Sequence, residues 1–168
     1  PEVLRATSGV RAGALDLAVL DTTDPDEILA LERRVDLSRA LFIVASKSGG
    51  TIETTSQYAY FRAKAPASQF VAITDPGTKL EQLATEQGFR RVFLNPPDIG
   101  GRYSALSLFG LVPGALVGCD IEALLDSSIR MANRCGPEPP VRANPGAVLG
   151  AIMAEAALAG RDKLTLLF

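Results

Sequence analysis

Apolar residues recur along this chain in short runs, each followed by a stretch of helical spacing. Residues 15–20 form an apolar run of strand length, bounded by Gly13 and by Asp21-Thr22-Thr23-Asp24. Asp24-Pro25-Asp26-Glu27 has the form of a helix start, with Asp24 as N-cap, Pro25 at the first helical position and Glu27 at the third. Ile28, Leu31 and Val35 continue at helical spacing and put one apolar face against a sheet. Residues 41–45 are a second strand, 51–64 a helix, 70–74 a third strand and 91–94 a fourth. Between the last two, Thr78-Lys79-Leu80-Glu81 has capping-box spacing, and Gly88 stands where a helix C-cap glycine belongs. Residues 1–7 suit the front of a further helix, with Pro1 in its first turn. Strand and helix alternating at this rhythm predict an α/β fold, an open parallel sheet with helices on both faces and right-handed crossovers.

The rhythm changes after Leu94. Asn95-Pro96-Pro97-Asp98 is a turn and 99–104 a second glycine-bearing loop. Residues 103–117 are apolar but short for a membrane span, and they contain Gly110, Pro113 and Gly114. They predict a buried helix with an irregularity near Pro113. Asp120 is placed to cap a helix whose inner side carries Ile121, Leu124, Leu125 and Ile129. Residues 135–141, with three prolines, make a surface connection. Asn144-Pro145 starts a last helix that Gly160 ends, and 163–168 have the look of a strand beginning.

At 168 residues the chain is long enough for one domain with its own core. A hydrophobic fraction of 47% and a charged fraction of 21% are ordinary for a globular protein. A net charge of -2 supplies no attraction toward nucleic acid or an anionic membrane. Cys119 and Cys135 lack Cys-x-x-Cys spacing and are expected as reduced thiols of a cytoplasmic protein. The chain contains no histidine, which removes imidazole acid–base chemistry, Ser-His-Asp triads and most zinc sites unless another segment supplies the ring.

The densest chemistry lies where the second strand ends. Ser46, Lys47, Ser48, Gly49, Gly50 and Thr51 place three hydroxyls, one ammonium and two adjacent glycines directly before a helix. Ser and Thr are common at such places simply as caps. The density of donors at the carboxyl end of a strand favours an anion site, and a small phosphate ahead of a nucleotide, because neither nucleotide-loop spacing is present. Glu53 matches the helix dipole as a first-turn acid; its functional alternative is a carboxylate that orients a neighbouring group. Gly100-Gly101-Arg102 follows the fourth strand and can reach the same sheet edge, where an arginine fork suits phosphate or a developing oxyanion. Asp75-Pro76-Gly77 reads as a turn and nothing more.

The two loops taken together resemble the glucose-6-phosphate isomerase family. SKSGGTIET at 46–54 is similar to that family's Ser-Lys-Thr-x-x-Thr-x-Glu-Thr pattern, with Ser48 in place of the threonine. IGGRYSALS at 99–107 is similar to its Gly-Gly-Arg-Phe/Tyr-Ser signature, and the Asn144-Pro145 helix with Leu149-Gly150 fits as well. The paired glycines and the alanine-rich composition look like the bacterial branch, including versions fused to a transaldolase. The resemblance implies a three-layer αβα sandwich of the flavodoxin-like sugar-isomerase (SIS) type, with 1–168 a single SIS domain trimmed at both ends. It implies that Ser46, Lys47, Ser48 and Thr51 receive the sugar phosphate, that Gly101 lies against the substrate, and that Arg102 stabilises an enediolate. Glu53 would then hold a ring-opening histidine from outside this chain.

The implied reaction interconverts glucose 6-phosphate and fructose 6-phosphate in glycolysis and gluconeogenesis, with no metal and no cofactor. The family's Gly-Gly-Ser turn and preceding strand are expected before Pro1, and its base glutamate, histidine and late lysine beyond Phe168. The isolated chain is therefore expected to bind phosphosugar without isomerising it. Its implied partners are the remainder of a longer chain with a second SIS domain, and further copies in a homo-oligomer. A non-catalytic SIS module that senses a phosphosugar, or an α/β domain with no ligand, would use the same elements.

Overall fold

The structure, a computed structural model, describes residues 2–8 and 11–165. The chain divides into two compact units, Pro1–Ile121 and Glu122–Phe168.

The first unit begins with helix α1 (Glu2–Ser8), where the sequence predicts one; Pro1 itself lies outside the described residues. Helix α2 (Pro25–Arg34) starts on Asp24, whose side chain accepts from Asp26 N–H at 2.9 Å, with Pro25 in the first turn. Strand β1 (Phe42–Ala45), helix α3 (Ile52–Arg62), strand β2 (Phe70–Thr74), helix α4 (Lys79–Glu86) and strand β3 (Arg91–Leu94) follow in alternation. The sheet has the order β1-β2-β3 and is parallel throughout, with Phe42 opposite Phe70 and Val71 opposite Arg91. Helices flanking a parallel sheet make the αβα sandwich expected from the sequence.

Strand β2 is buried along its whole length, as the centre of a parallel sheet must be. Phe70 and Ala72 join Val44, Phe61, Leu80 and Ala84 in one apolar cluster, while the alternate residues Val71 and Ile73 point to the opposite face. The Phe70 ring stacks on Phe42 at 4.7 Å and meets Tyr58 edge-on at 5.6 Å. Each such aromatic or branched side chain, fully buried, contributes about 1.5–3 kcal/mol. Helices α2 and α3 are tied by Glu32, which accepts from Lys64 Nζ and from the Tyr60 hydroxyl, both at 2.6 Å. These bonds, Lys64 first, hold the Glu32 carboxyl below its ordinary range, and Glu32 raises Lys64 in turn.

Residues 15–20 do not form the predicted strand, so the sheet among the described residues has three strands and not four. Their backbone groups are engaged elsewhere. Leu15 N–H donates to Leu116 O at 3.1 Å, Leu17 N–H donates to the Asp16 carboxylate at 2.9 Å, and Leu17 O accepts from Arg5 at 3.2 Å. This segment and the edge of β1 line a groove of ≈ 710 Å³.

The apolar stretch at 103–117 also departs from expectation at its front. Gly101–Leu106 is a 3-10 turn, and helix α5 (Leu108–Leu116) begins only after Ser107, whose hydroxyl accepts from Phe109 N–H at 3.4 Å. The fold-back brings Ala105 O so near Gly110 that a Cβ there would lie 1.9 Å from it. Pro113 sits inside α5, as predicted.

Helix α6 (Ile121–Arg134), which belongs to the second unit from Glu122 onward, carries half-buried Leu124 and Leu125, while Ile129 is exposed. Helix α7 (Pro145–Leu158) is capped by Asn144, which accepts from Ala147 N–H at 3.0 Å, and Gly160 follows it with φ 82. Val148, Leu149, Ile152 and Leu158 of α7 are solvent-exposed. Residues 163–165 form no strand, and the rest of that predicted element lies outside the described residues.

Candidate functional site

The carboxyl ends of the three strands open onto the loops that carry the chemistry-bearing residues. Ser46 follows β1 directly, and its N–H donates to Ile73 O at 3.1 Å, continuing the ladder by one residue. That bond fixes the Ser46 side chain at the sheet edge, where the residue is 6% exposed. Gly49 N–H donates to Ser46 O at 3.2 Å and closes the turn. The turn must pass through glycine. Gly49 has φ 67, and a Cβ there would approach Thr78 Cβ to 2.6 Å and Leu80 N to 3.0 Å. Gly50 has open space around its missing Cβ.

Thr51 occupies the N-cap position of α3 with extended backbone, yet its side chain does not cap the helix. The Thr51 hydroxyl is hydrogen-bonded instead to the Ser46 hydroxyl, at 2.8 Å. Among the described residues the first-turn N–H groups of α3 are thereby left without a partner at the positive end of the helix. A helix terminus supplies about 0.3–1 kcal/mol toward an exposed anion, so the two hydroxyls and nearby cations are needed to make a site of it.

The cations are placed in a way the sequence did not reveal. Lys47 Nζ is paired with the Asp75 carboxylate and also donates to Pro97 O at 3.0 Å. Asp75 N–H in turn donates to Lys47 O at 3.3 Å. Residues following β1, β2 and β3 are joined through this one side chain. Asp75 is thus more than the turn residue predicted for it: it is a largely buried acid, with Oδ1 lacking a hydrogen-bond partner among the described residues.

Ser48, Glu53 and Arg102 are exposed, and none makes a side-chain hydrogen bond or ion pair among the described residues. Arg102 and Gly101 lie in the 3-10 turn that follows the Pro97 segment, held by Ser104 Oγ donating to Gly101 O at 2.7 Å. The structure therefore brings Ser46 and Thr51 into direct contact, turns Lys47 toward Asp75 and Pro97, and leaves Ser48, Glu53 and Arg102 open to solvent. A cavity of ≈ 310 Å³ lies beside the loop, lined among others by Ser46, Gly49, Gly50, Thr54 and Lys79. Beyond its place in the capping box, Lys79 carries one sequence signal for such a site: a cation in the first turn of a helix, where the dipole disfavours one. Among the described residues no group of His, Cys, Asp and Glu is arranged to hold a metal ion. No helix among them is long and apolar enough to cross a membrane.

The sequence profile of the family described as phosphoglucose isomerase matches residues 1–155. A glucose-6-phosphate isomerase of a Synechococcus species is 41% identical over 143 residues, and one of a Cyanothece species 38% identical over the same length. Each alignment takes in 80% of this chain, and the chain spans 27% of each relative. A hypothetical protein of known structure from Thermus thermophilus is 31% identical, with a TM-score of 0.80 over 92% of this chain and 38% of that one. The crystal structure of a glucose-6-phosphate isomerase from Chlamydia trachomatis is 33% identical, with a TM-score of 0.51 over 56% of this chain and 19% of that one.

Proposed function

We propose that this chain, which belongs to the phosphoglucose isomerase family, supplies the phosphosugar-receiving site of a glucose-6-phosphate isomerase. The observation that carries the proposal is the uncapped N-terminus of α3, with the Ser46–Thr51 hydroxyl pair beside a turn that only glycine can make. Such a site offers oriented neutral donors with no reorganisation on binding.

Ser46, Ser48, Thr51 and the first N–H groups of α3 receive the phosphate, and Lys47 provides the adjacent positive charge. Gly101, with open space about its missing Cβ, lets the sugar approach the backbone. Arg102, exposed and without a side-chain partner among the described residues, is available to the oxygen that gains charge. In the reaction a carboxylate base removes the C2 proton of the open-chain aldose, an enediolate forms, and the proton returns at C1 to give the ketose. That base lies outside this chain, as does the group that opens the sugar ring, which Glu53 positions. The rest of a longer protein, with a second SIS domain, and a second copy in a homo-oligomer complete the enzyme, which works in the cytoplasm.

Titrating glucose 6-phosphate into the chain tests the binding half of the proposal. Thr51→Ala removes a hydroxyl that serves both Ser46 and a charged ligand, and is expected to weaken binding about tenfold. An unchanged affinity refutes the assignment of the loop. Fructose 6-phosphate production by this chain alone refutes the placement of the base outside it.

A further inference from the structure

The loop that receives the phosphate carries a cation that is already occupied. Lys47 Nζ uses one of its three N–H donors on the Asp75 carboxylate and another on Pro97 O at 3.0 Å. Asp75 is poorly suited to this position on grounds of stability. Its side chain is 12% exposed, and its Oδ1 is buried with no hydrogen-bond partner among the described residues. A desolvated ion pair of this kind returns little net stability, and a buried acceptor without a donor detracts from it. An asparagine of the same shape would accept from Lys47 through its amide oxygen and be easier to bury. What asparagine lacks is the charge, and the charge is what cancels that of Lys47, the residue that follows Ser46 in the loop.

Accepting that loop 46–51 is the phosphosugar site, we propose that Asp75 is a positioning residue that acts as the resident counter-ion of Lys47 and is displaced by the substrate phosphate. With no ligand bound, Asp75 keeps Lys47 ordered across the strand ends and holds the loop near electrical neutrality. When a phosphate ester arrives, the Lys47 side chain leaves the carboxylate for the phosphate oxygens. No covalent bond changes; one ion pair is exchanged for another. Because the old pair must open, the affinity of the loop for phosphosugar is held down, which favours release of product as much as it limits capture of substrate. The hydroxyls and the first-turn N–H groups of α3 make no such exchange and supply the part of the binding that Asp75 does not control.

The two charges predict opposite responses. Glucose 6-phosphate is titrated by calorimetry into the chain and into Asp75→Asn, Lys47→Met and the double variant, at two ionic strengths, after melting curves establish that each is folded. Asp75→Asn is expected to bind about tenfold more tightly, since a charge withdrawn within about 4–6 Å of an ionic partner moves its equilibria by one to three decades and Lys47 is partly exposed. Its affinity is also expected to fall more steeply with salt, because Lys47 is no longer neutralised. In the Lys47→Met background the same substitution is expected to change affinity by no more than about threefold. Weaker or unchanged binding by Asp75→Asn overturns the inference, as does an equal gain in both backgrounds, while the phosphosugar site itself stands. Absence of binding by every variant overturns the phosphosugar site and the inference together. If Asp75→Asn fails to fold, Asp75→Ser replaces it with the same expected sign.

Discussion

Two adjacent glycines in the phosphate loop should respond oppositely to the same methyl group. Gly49 has φ 67, and a Cβ built on it would lie 2.6 Å from Thr78 Cβ and 3.0 Å from Leu80 N. Neither neighbour is the free end of a flexible side chain, so relief requires the N-terminus of α4 to move. An L-residue in the left-handed region costs about 1–2 kcal/mol, and forcing a methyl into a packed contact costs about 1–3 kcal/mol more. The smaller conformational freedom of unfolded alanine offsets about 0.4–1 kcal/mol of this. Gly49→Ala is therefore expected to destabilise the protein by about 2–4 kcal/mol. Gly50 has no positive φ and nothing within 4 Å of its missing Cβ, so Gly50→Ala should stay within about 0.5 kcal/mol of the parent. Urea unfolding followed by circular dichroism separates the two: with m of about 2 kcal/mol/M, the Gly49→Ala midpoint drops by roughly 1–2 M while that of Gly50→Ala barely moves. Equal shifts, or a Gly49→Ala loss under about 1 kcal/mol, would refute the argument that the turn is set by this backbone and by contact with Thr78.

Two further outcomes can be checked with the same instrument. Phe70→Ala should lose about 3–5 kcal/mol, because Phe70 is 1% exposed and contacts three other rings; a loss below about 1.5 kcal/mol would show that the cluster around β2 closes over the cavity. Glu32→Gln should flatten the dependence of stability on pH by removing a contribution present only at intermediate pH. The Glu32 carboxyl is lowered by Lys64 and Tyr60, so its contribution is present above the ordinary carboxylate range and disappears as pH falls through the lowered value. Lys64 is raised by the same bonds, so its share is present below the ordinary lysine range and disappears as pH rises through the raised value. The unfolding midpoints of parent and variant should thus differ across neutral pH and converge in acid; a difference that persists in strong acid refutes the linkage.

Features that depend on neighbouring residues in the chain were legible. Asp24 with Pro25, Thr78 with Glu81 and Asn144 with Pro145 each start a helix where the residue types demand one. In detail Thr78 accepts from Glu81 N–H at 3.3 Å, while the Glu81 carboxylate takes the N–H of Gly77 at 2.6 Å, one residue before the N-cap. Strands β1, β2 and β3 were legible because apolar runs between turns have few other places to go. Residues 15–20 were not, because a strand exists only with a partner, and side chains of Arg5 and Asp16 occupy the backbone of Leu17. Helix α5 starts a few residues later than the apolar pattern predicts, because apolar composition continues through the 3-10 turn that precedes Ser107.

The candidate site divides along the same line. By itself the sequence determined that a strand runs into a hydroxyl-rich glycine turn and then a helix, because each of those preferences is local to a few residues. It also determined family membership, through two motifs whose order and composition are specific. Only the tertiary structure decided that Thr51 bonds Ser46 and leaves α3 uncapped, and that Lys47 turns away to an acid 28 positions along the chain. An ion pair depends on which loops the sheet order β1-β2-β3 brings side by side, and no local preference of lysine or aspartate encodes that neighbour.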